Sequence, residues 1–358
     1  MSVAARIAVG KGASAYDVLI GRDLLTALPD LLGAPRRVLL VHPAAVRRQA
    51  DRVRRVTSEA GHEVVDATIP DGEAAKTADV LQGLWETLGR HRFTRSDLVV
   101  AVGGGAATDL AGFAAATWLR GIDVVHVPTT MLGMVDAAIG GKTAIDTVAG
   151  KNLVGAFHSP RGVVCDLSLL DGLPEREMVS GLAEVIKTGF IADRHILEAV
   201  EASPAAARDP HGDLVVDLVT RSVRVKARVV TADLREDGGR EVLNYGHTLG
   251  HAIERVEGYH WRHGEAISVG MVFAAELASI AGRLHLDIVD RHRDVLQAVG
   301  LPVTYHRNRW DDVCQVMRLD KKARADTLRF VILEDVGRAV LFEGPDESLL
   351  EAAYGKVC

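Results

Sequence analysis

Residues 244–265 hold the densest set of side chains able to do chemistry. His247 and His251 stand four residues apart, which puts both imidazoles on one face of a helix. His263 follows the turn Tyr259-His260-Trp261 and opens a second apolar run over 265–281. Two helices with histidines at their near ends can grip one divalent cation, given a carboxylate from elsewhere. The best donor is Glu184, in Gly181-Leu-Ala-Glu-Val-Ile-Lys187, with Lys187 one turn beyond it. A His2Glu set leaves a coordination position open for substrate, the catalytic rather than the structural zinc pattern. Histidines four apart also occur as surface or satisfied core residues, and Thr248 removes the metalloprotease motif, which needs Glu there. The third histidine and the isolated Glu184 favour the metal.

Positioning such residues takes a scaffold, and the first half of the chain alternates strands and helices. Strands are expected over 16–20, 37–42, 63–69 and 98–102, with helices over 44–60 and 76–90. That order predicts a parallel sheet covered by helices, with ligands beyond the carboxyl ends of the strands. Two strand ends carry suggestive loops. One is Asp71-Gly72-Glu73 with Lys76; the other is Gly103-Gly104-Gly105-Ala106-Ala107-Thr108-Asp109, ahead of a helix over 110–119. Glycines let a ligand approach the backbone, and a helix N-terminus attracts a pyrophosphate. This is not the GxGxxG fingerprint, and a tight turn is the alternative. Taken together, the features favour a dinucleotide.

A strand over 123–127 leads to Thr129-Thr130, Val135-Asp136, Gly140-Gly141-Lys142-Thr143 and Gly150-Lys151-Asn152. A Walker motif would need Gly at residue 136, which is Asp, so a P-loop kinase is rejected. Beyond residue 175 the pattern is mainly helical: 177–191, 196–201, 214–232 with Lys226, and 290–299. Glu236, Arg240 and Asn244 share one face if their stretch is helical. Lys321-Lys322 fall in a loop before a strand over 327–333, and 204–212 reads as a mobile loop.

A chain of 358 residues accommodates two domains, placed at 1–175 and 176–358. The longest apolar run, 110–119, is too short to cross a bilayer, and no leader opens the chain. Cys165, Cys314 and Cys358 form no CxxC and read as reduced thiols of a cytoplasmic protein. A net charge of −6 argues against nucleic-acid binding, so an anionic ligand must meet a local cluster of Lys and Arg.

In order and spacing, Gly-Gly-Gly-x-x-x-Asp-Leu-Ala-Gly-Phe, Pro-Thr-Thr, Val-Asp, Gly-Gly-Lys-Thr, Gly-Lys-Asn, Gly-Leu-Ala-Glu-Val-Ile-Lys, Asn-Tyr-Gly-His-Thr-Leu-Gly-His-Ala-Ile-Glu and Asp-Lys-Lys resemble the 3-dehydroquinate synthases, from about residue 71 to 329. The resemblance implies an α/β, Rossmann-like NAD-binding parallel-sheet domain followed by an all-helical, zinc-binding domain, with cobalt as an alternative metal. It implies conversion of 3-deoxy-D-arabino-heptulosonate 7-phosphate to 3-dehydroquinate and phosphate. The course is transient oxidation, β-elimination, reduction, ring opening and aldol closure.

Carried over by position, Glu184, His247 and His263 resemble the metal ligands. Asp71 to Lys76, Gly103, Gly104, Gly105, Ala106, Ala107, Thr108, Asp109, Thr129, Thr130, Lys142, Lys151 and Leu169-Leu170-Asp171-Gly172 resemble the NAD contacts. Asp136, Lys142, Asn152, Lys187, Lys226, Glu236, Arg240, Asn244, His251 and Lys321-Lys322 resemble the catalytic and substrate shell. Arg120 resembles a residue that reaches the substrate phosphate in the neighbouring subunit of a homodimer. Ala144 and Asp146 depart from the Gly and Asn of many members, with open effect. A polyol dehydrogenase of related fold would share the glycines and metal helices but has no use for so many cations. Sister cyclases acting on other sugar phosphates are nearer alternatives. Arg240, Asn244, His251 and Lys321-Lys322 suit a substrate carboxylate, which favours the heptulosonate over sedoheptulose 7-phosphate.

Overall fold

The computed structural model of the chain describes residues 2–236, 238–323 and 327–358, without the side chains of Ser2 and 319–323. Nine strands lie in the first half: β1 (Ser2–Val9), β2 (Tyr16–Arg22), β3 (Arg37–Pro43), β4 (Glu63–Ile69), β5 (Leu98–Gly103), β6 (Asp123–Pro128), β7 (Lys142–Thr147), β8 (Gly150–Phe157) and β9 (Gly162–Asp166). Seven of them form one sheet in the order β1-β2-β9-β6-β5-β3-β4, parallel except for the β1–β2 pair.

β3 and β5 are apolar on both faces, as strands covered on both sides must be. Alternate residues of β5 feed two cores. Val99 and Ala101 pack with Leu81, Leu84 and Leu110 on one face; Leu98, Val100 and Val102 pack with Leu28, Ala50 and Val53 on the other. The parallel α/β expectation holds.

Four local readings change. The helix after the glycine triplet runs Gly105–Thr117, so it starts inside the triplet and stops before Leu119. Residues 142–157, read from the sequence only as a Gly-rich segment with two lysines and an asparagine, are a β7–β8 hairpin. Residues 204–212 include the helix Pro204–Arg208, where Pro occupies a first-turn position that needs no N–H. Lys321 and Lys322 fall within the helix Trp310–Ala323 rather than in a loop; their side chains lie outside the described residues.

The chain divides into two compact units, one of Met1–Leu173 with Lys226–Arg235, the other of Pro174–Val225 with Glu236–Cys358. The second is helical, with Glu175–Ala192, His247–Val256 and His263–Ile280 prominent. It is not wholly so, because β10 (Arg329–Asp335) and β11 (Arg338–Glu343) pair as an antiparallel hairpin. Among the described residues, no helix is long and apolar enough to cross a membrane.

Candidate active site

In the helical unit, the elements bearing Glu184, His247 and His263 meet through their main chains. A Cβ at Gly264 would stand 1.9 Å from Ser180 O, and one at Gly270 would stand 1.9 Å from Gly246 O, so only glycine allows either approach. The amide of Gly264 donates to Ser180 Oγ at 3.0 Å. Arg176 forks onto Glu265 at 2.6 and 2.7 Å, and Arg262 pairs with Glu177 at 2.7 Å. These contacts fix His263, the first residue of its helix, against the helix that carries Glu184. His247 likewise opens its helix, behind Gly246 in the left-handed conformation (φ 78°).

One ligand atom from each of Glu184, His247 and His263 lies within 4.8 Å of the others. Glu184 Oε1 is 3.6 Å from His247 Nε2 and 3.4 Å from His263 Nε2. Among the described residues this buried oxygen has no hydrogen-bond partner. Its twin, Oε2, pairs with the Lys187 ammonium, which also donates to Leu243 O at 2.6 Å.

The far side of each imidazole is held as well. His247 Nδ1 lies 3.0 Å from Tyr245 O, a carbonyl that can only accept, so Nδ1 carries the proton and Nε2 keeps its lone pair. His263 Nδ1 lies 3.3 Å from Glu254 Oε2. Two histidines with outer acceptors, facing an unpartnered buried carboxylate oxygen, fit a divalent metal ion.

Electrostatics sharpens this. Burial opposes charge on Glu184, but Lys187 and the two imidazoles override it and hold the carboxyl well below its usual range. Burial and then Lys187 keep His247 neutral, as a ligand must be. Burial also disfavours charge on His263, yet Glu184 and Glu254 push the imidazole up to about 10.

His251 joins the cluster, its ring 5.1 Å from that of His247 and 6.1 Å from that of His263. Arg240 is buried within the 3-10 helix Gly239–Asn244, which Asn244 ends. Glu236 lies outside that helix, in a left-handed conformation (φ 64°). The common face expected for Glu236, Arg240 and Asn244 is therefore absent, because a 3-10 helix repeats every three residues, not four. Glu254 went unassigned from the sequence. It stands seven residues after His247, two helical turns along the same face, and that spacing was the available signal.

The α/β unit carries a second arrangement, at the carboxyl ends of its strands. Gly103 has a φ of 156° and Gly104 caps the helix Gly105–Thr117. The first intrahelical amides there are those of Ala107 and Thr108, both bonded to Gly104 O, so Gly105 and Ala106 lie ahead of the ladder. Thr129 Oγ1 is buried with no partner among the described residues, although its amide bonds to Gly103 O at 2.9 Å. A half-buried helix start with free amides, beside a hydroxyl without a partner among the described residues, fits a dinucleotide pyrophosphate.

Lys76, only 2% exposed, donates to Asp109 Oδ2 at 2.7 Å and to Asn152 Oδ1. Burial opposes its charge, and Asp109, Glu73 and Asp146 overcome that and raise it. Lys151 pairs with Glu73 at 3.3 Å, and Asp71 accepts from the Ala45 amide at 3.1 Å. Leu169 and Leu170 are buried core residues, whereas Asp171 and Gly172 are exposed. Lys226 pairs with Asp136 through both the carboxylate and the main-chain oxygen. Lys142 is exposed at the start of β7, and Thr130 Oγ1 accepts from the Gly133 amide at 3.0 Å.

The fold is shared with several solved enzymes. The 2-epi-5-epi-valiolone synthase of Streptomyces hygroscopicus, solved with NAD+ and Zn2+ bound, is 27% identical, covers 99% of each chain and superposes with a TM-score of 0.90. A 2-deoxy-scyllo-inosose synthase complexed with carbaglucose-6-phosphate, NAD+ and Co2+ is 25% identical over 99% of this chain and 100% of that one, with a TM-score of 0.89. Glycerol dehydrogenase from Schizosaccharomyces pombe, at 16% identity and a TM-score of 0.69 over 95% and 88% of the two chains, shares the fold alone.

Residues 66–180 match the family described as 3-dehydroquinate synthase N-terminal, and residues 181–323 match the corresponding C-terminal family. The 3-dehydroquinate synthase of Streptomyces coelicolor is 55% identical over 98% of both chains, and that of Pseudarthrobacter chlorophenolicus 57% identical over 96% of this chain and 95% of its own. The chain belongs to the 3-dehydroquinate synthase family.

Proposed function

We infer that the chain converts 3-deoxy-D-arabino-heptulosonate 7-phosphate to 3-dehydroquinate and phosphate, with NAD and one divalent metal ion bound. The carrying observation is the orphaned Glu184 Oε1 facing two imidazole nitrogens, in a chain of this family. Residues 1–175 are read as the dinucleotide-binding domain, and 176–358 as the metal- and substrate-binding one. When bound, the metal supplies a Lewis acid and the dinucleotide a reversible hydride acceptor, so oxidation and reduction of one substrate leave no net redox change.

The protein's own residues do the rest. Glu184, His247 and His263 hold the metal. Lys187, fixed on Leu243 O, places an ammonium beside it for developing negative charge. Arg240, Asn244 and His251 of the helical unit bind the carboxylate and neighbouring hydroxyl, and His251 assists proton movement. Asp136, Lys142, Asn152 and Lys226 of the α/β unit orient the sugar. Lys321 and Lys322 carry the same expectation as Arg240, Asn244 and His251, toward the carboxylate.

A homodimer goes with this reading. Leu119 and Arg120 are consecutive non-glycine residues at positive φ (50° and 67°), and they present an exposed guanidinium suited to a neighbouring subunit's phosphate site. β8 leaves Leu153, Val154 and Phe157 exposed. A cytoplasmic location is supported by three unpaired thiols. The test is phosphate release from the heptulosonate phosphate beside sedoheptulose 7-phosphate, with mass spectrometry of the products. The heptulosonate should be turned over far faster with no lasting NADH; equal or reversed preference, or stoichiometric NADH, would overturn the reaction named.

A further inference from the structure

Three residues of the α/β unit close a ring of contacts near the hairpin turn. The Asp146 amide donates to Lys76 O at 2.8 Å, the Asn152 amide donates to Asp146 Oδ1 at 2.9 Å, and the Lys76 ammonium donates to Asn152 Oδ1. Asp146 is the hinge of this ring, since its main chain holds one partner and its side chain the other.

Two features show that the ring constrains the backbone. Register between β7 and β8 is irregular between Ile145 and Thr147, the interval that contains Asp146. Such a break re-aims a side chain, here across the turn rather than out of the ladder. Asn152 is left-handed (φ 57°), a conformation that Asn tolerates better than most residues and that its neighbours can therefore fix at low cost. The Asp146 carboxylate holds its amide. Direct charge attraction is secondary, because Asp146 Oδ1 stands 3.8 Å from Lys76 Nζ and Asp109 is closer at 2.7 Å.

We propose that Asp146 is a positioning residue that sets Lys76 for the dinucleotide and Asn152 for the sugar phosphate. It acts through the Asn152 amide and the Lys76 carbonyl. The assignment rests on the function proposed above, which supplies the roles of Lys76 and Asn152. It accounts for a carboxylate in this turn without adding a catalytic group.

The experiment compares the full chain with Asp146→Ala and Asp146→Asn, measuring NAD affinity by calorimetry and KM and kcat by phosphate release. Asp146→Ala should weaken NAD binding and raise KM for the sugar phosphate by about tenfold each, the effect of one lost positioning hydrogen bond. The melting curve should be unchanged and kcat should fall less than KM rises. Asp146→Asn keeps an acceptor oxygen and should restore both constants to within about threefold. Wild-type constants in Asp146→Ala would overturn the proposal, as would an Asp146→Asn protein as weak as the alanine variant. An unmodified chain that binds no NAD would overturn the function as well, which separates the two failures.

Discussion

The metal pocket and the cofactor cradle are electrostatic mirror images. In the helical unit one buried carboxylate, Glu184, is ringed by Lys187, His247 and His263. In the α/β unit one buried ammonium, Lys76, is ringed by Asp109, Glu73 and Asp146. The difference lies in what is left over. Among the described residues Glu184 keeps one oxygen without a hydrogen bond, whereas the Lys76 ammonium already donates to Asp109 and Asn152. A centre with a spare lone pair recruits a cation. A centre whose donors are engaged organises its neighbours instead.

Changes at the two centres should therefore fail differently. The largest loss is expected for Glu184→Gln, which keeps the shape and removes the charge. Metal content measured by elemental analysis should fall to background and phosphate release should drop by about a thousandfold or more; a variant with full metal content would break the contrast.

Lys187→Met comes next, with kcat/KM down by about two orders of magnitude. From sequence alone its effect on stability is expected to be small. The structure changes that expectation, since Lys187 and Glu184 are both buried and paired. Removing the ammonium strands a buried carboxylate at about 3–5 kcal/mol. Calorimetric melting should show a large drop for the metal-free variant and a much smaller one once zinc is added.

Lys76→Met should weaken NAD binding by about ten- to a hundredfold while zinc stoichiometry stays at the wild-type value. Loss of zinc in that variant would mean that the two centres are not separable.

The smallest effect concerns pH and one buried histidine in each unit. Burial lowers both His126 and His292 to about 3. For His292 the Ile288 carbonyl acts against this, while Arg291 and Arg293 add to it. Its Nδ1 lies 2.6 Å from Ile288 O and its Nε2 2.8 Å from the Tyr245 hydroxyl, so the ring is satisfied while neutral. The unfolded chain takes up the proton near 6.5 and the folded one only near 3, so this stability is present above 6.5 and lost as pH falls through that window. Each group should contribute about 2 kcal/mol to the loss between pH 6.5 and 5. Denaturant titrations at pH 7 and 5 should show a shallower acid dependence for His292→Gln; an unchanged dependence would refute the assignment.

The two centres were also unequally legible. Part of the metal pocket is written in short spacings, the i, i+4 pair His247 and His251 and the i, i+3 pair Glu184 and Lys187, although the meeting of Glu184 with His247 and His263 spans long stretches of chain. The cradle depends on pairs far apart in sequence, such as Lys76 with Asn152. No local pattern announces such a pair. The β7–β8 hairpin was hidden for a related reason: β8 exposes Leu153, Val154 and Phe157, so the alternation that marks a half-buried strand is missing. The short 3-10 helix Gly239–Asn244 misled in the opposite way, because a spacing of four suggests an α-helical face that three residues per turn do not provide.

Gly264 and Gly270, where main chain meets main chain, bear on how this enzyme can diversify. Neither residue is in the candidate ligand set, yet any side chain at either position would have to displace a carbonyl oxygen 1.9 Å away. In a saturation mutagenesis map both glycines would score as intolerant as His247 and His263, though for reasons of clearance rather than chemistry. Lineages that drift toward other substrates are thus free to exchange the polar groups around the metal, while the calibre of the helix pair stays locked.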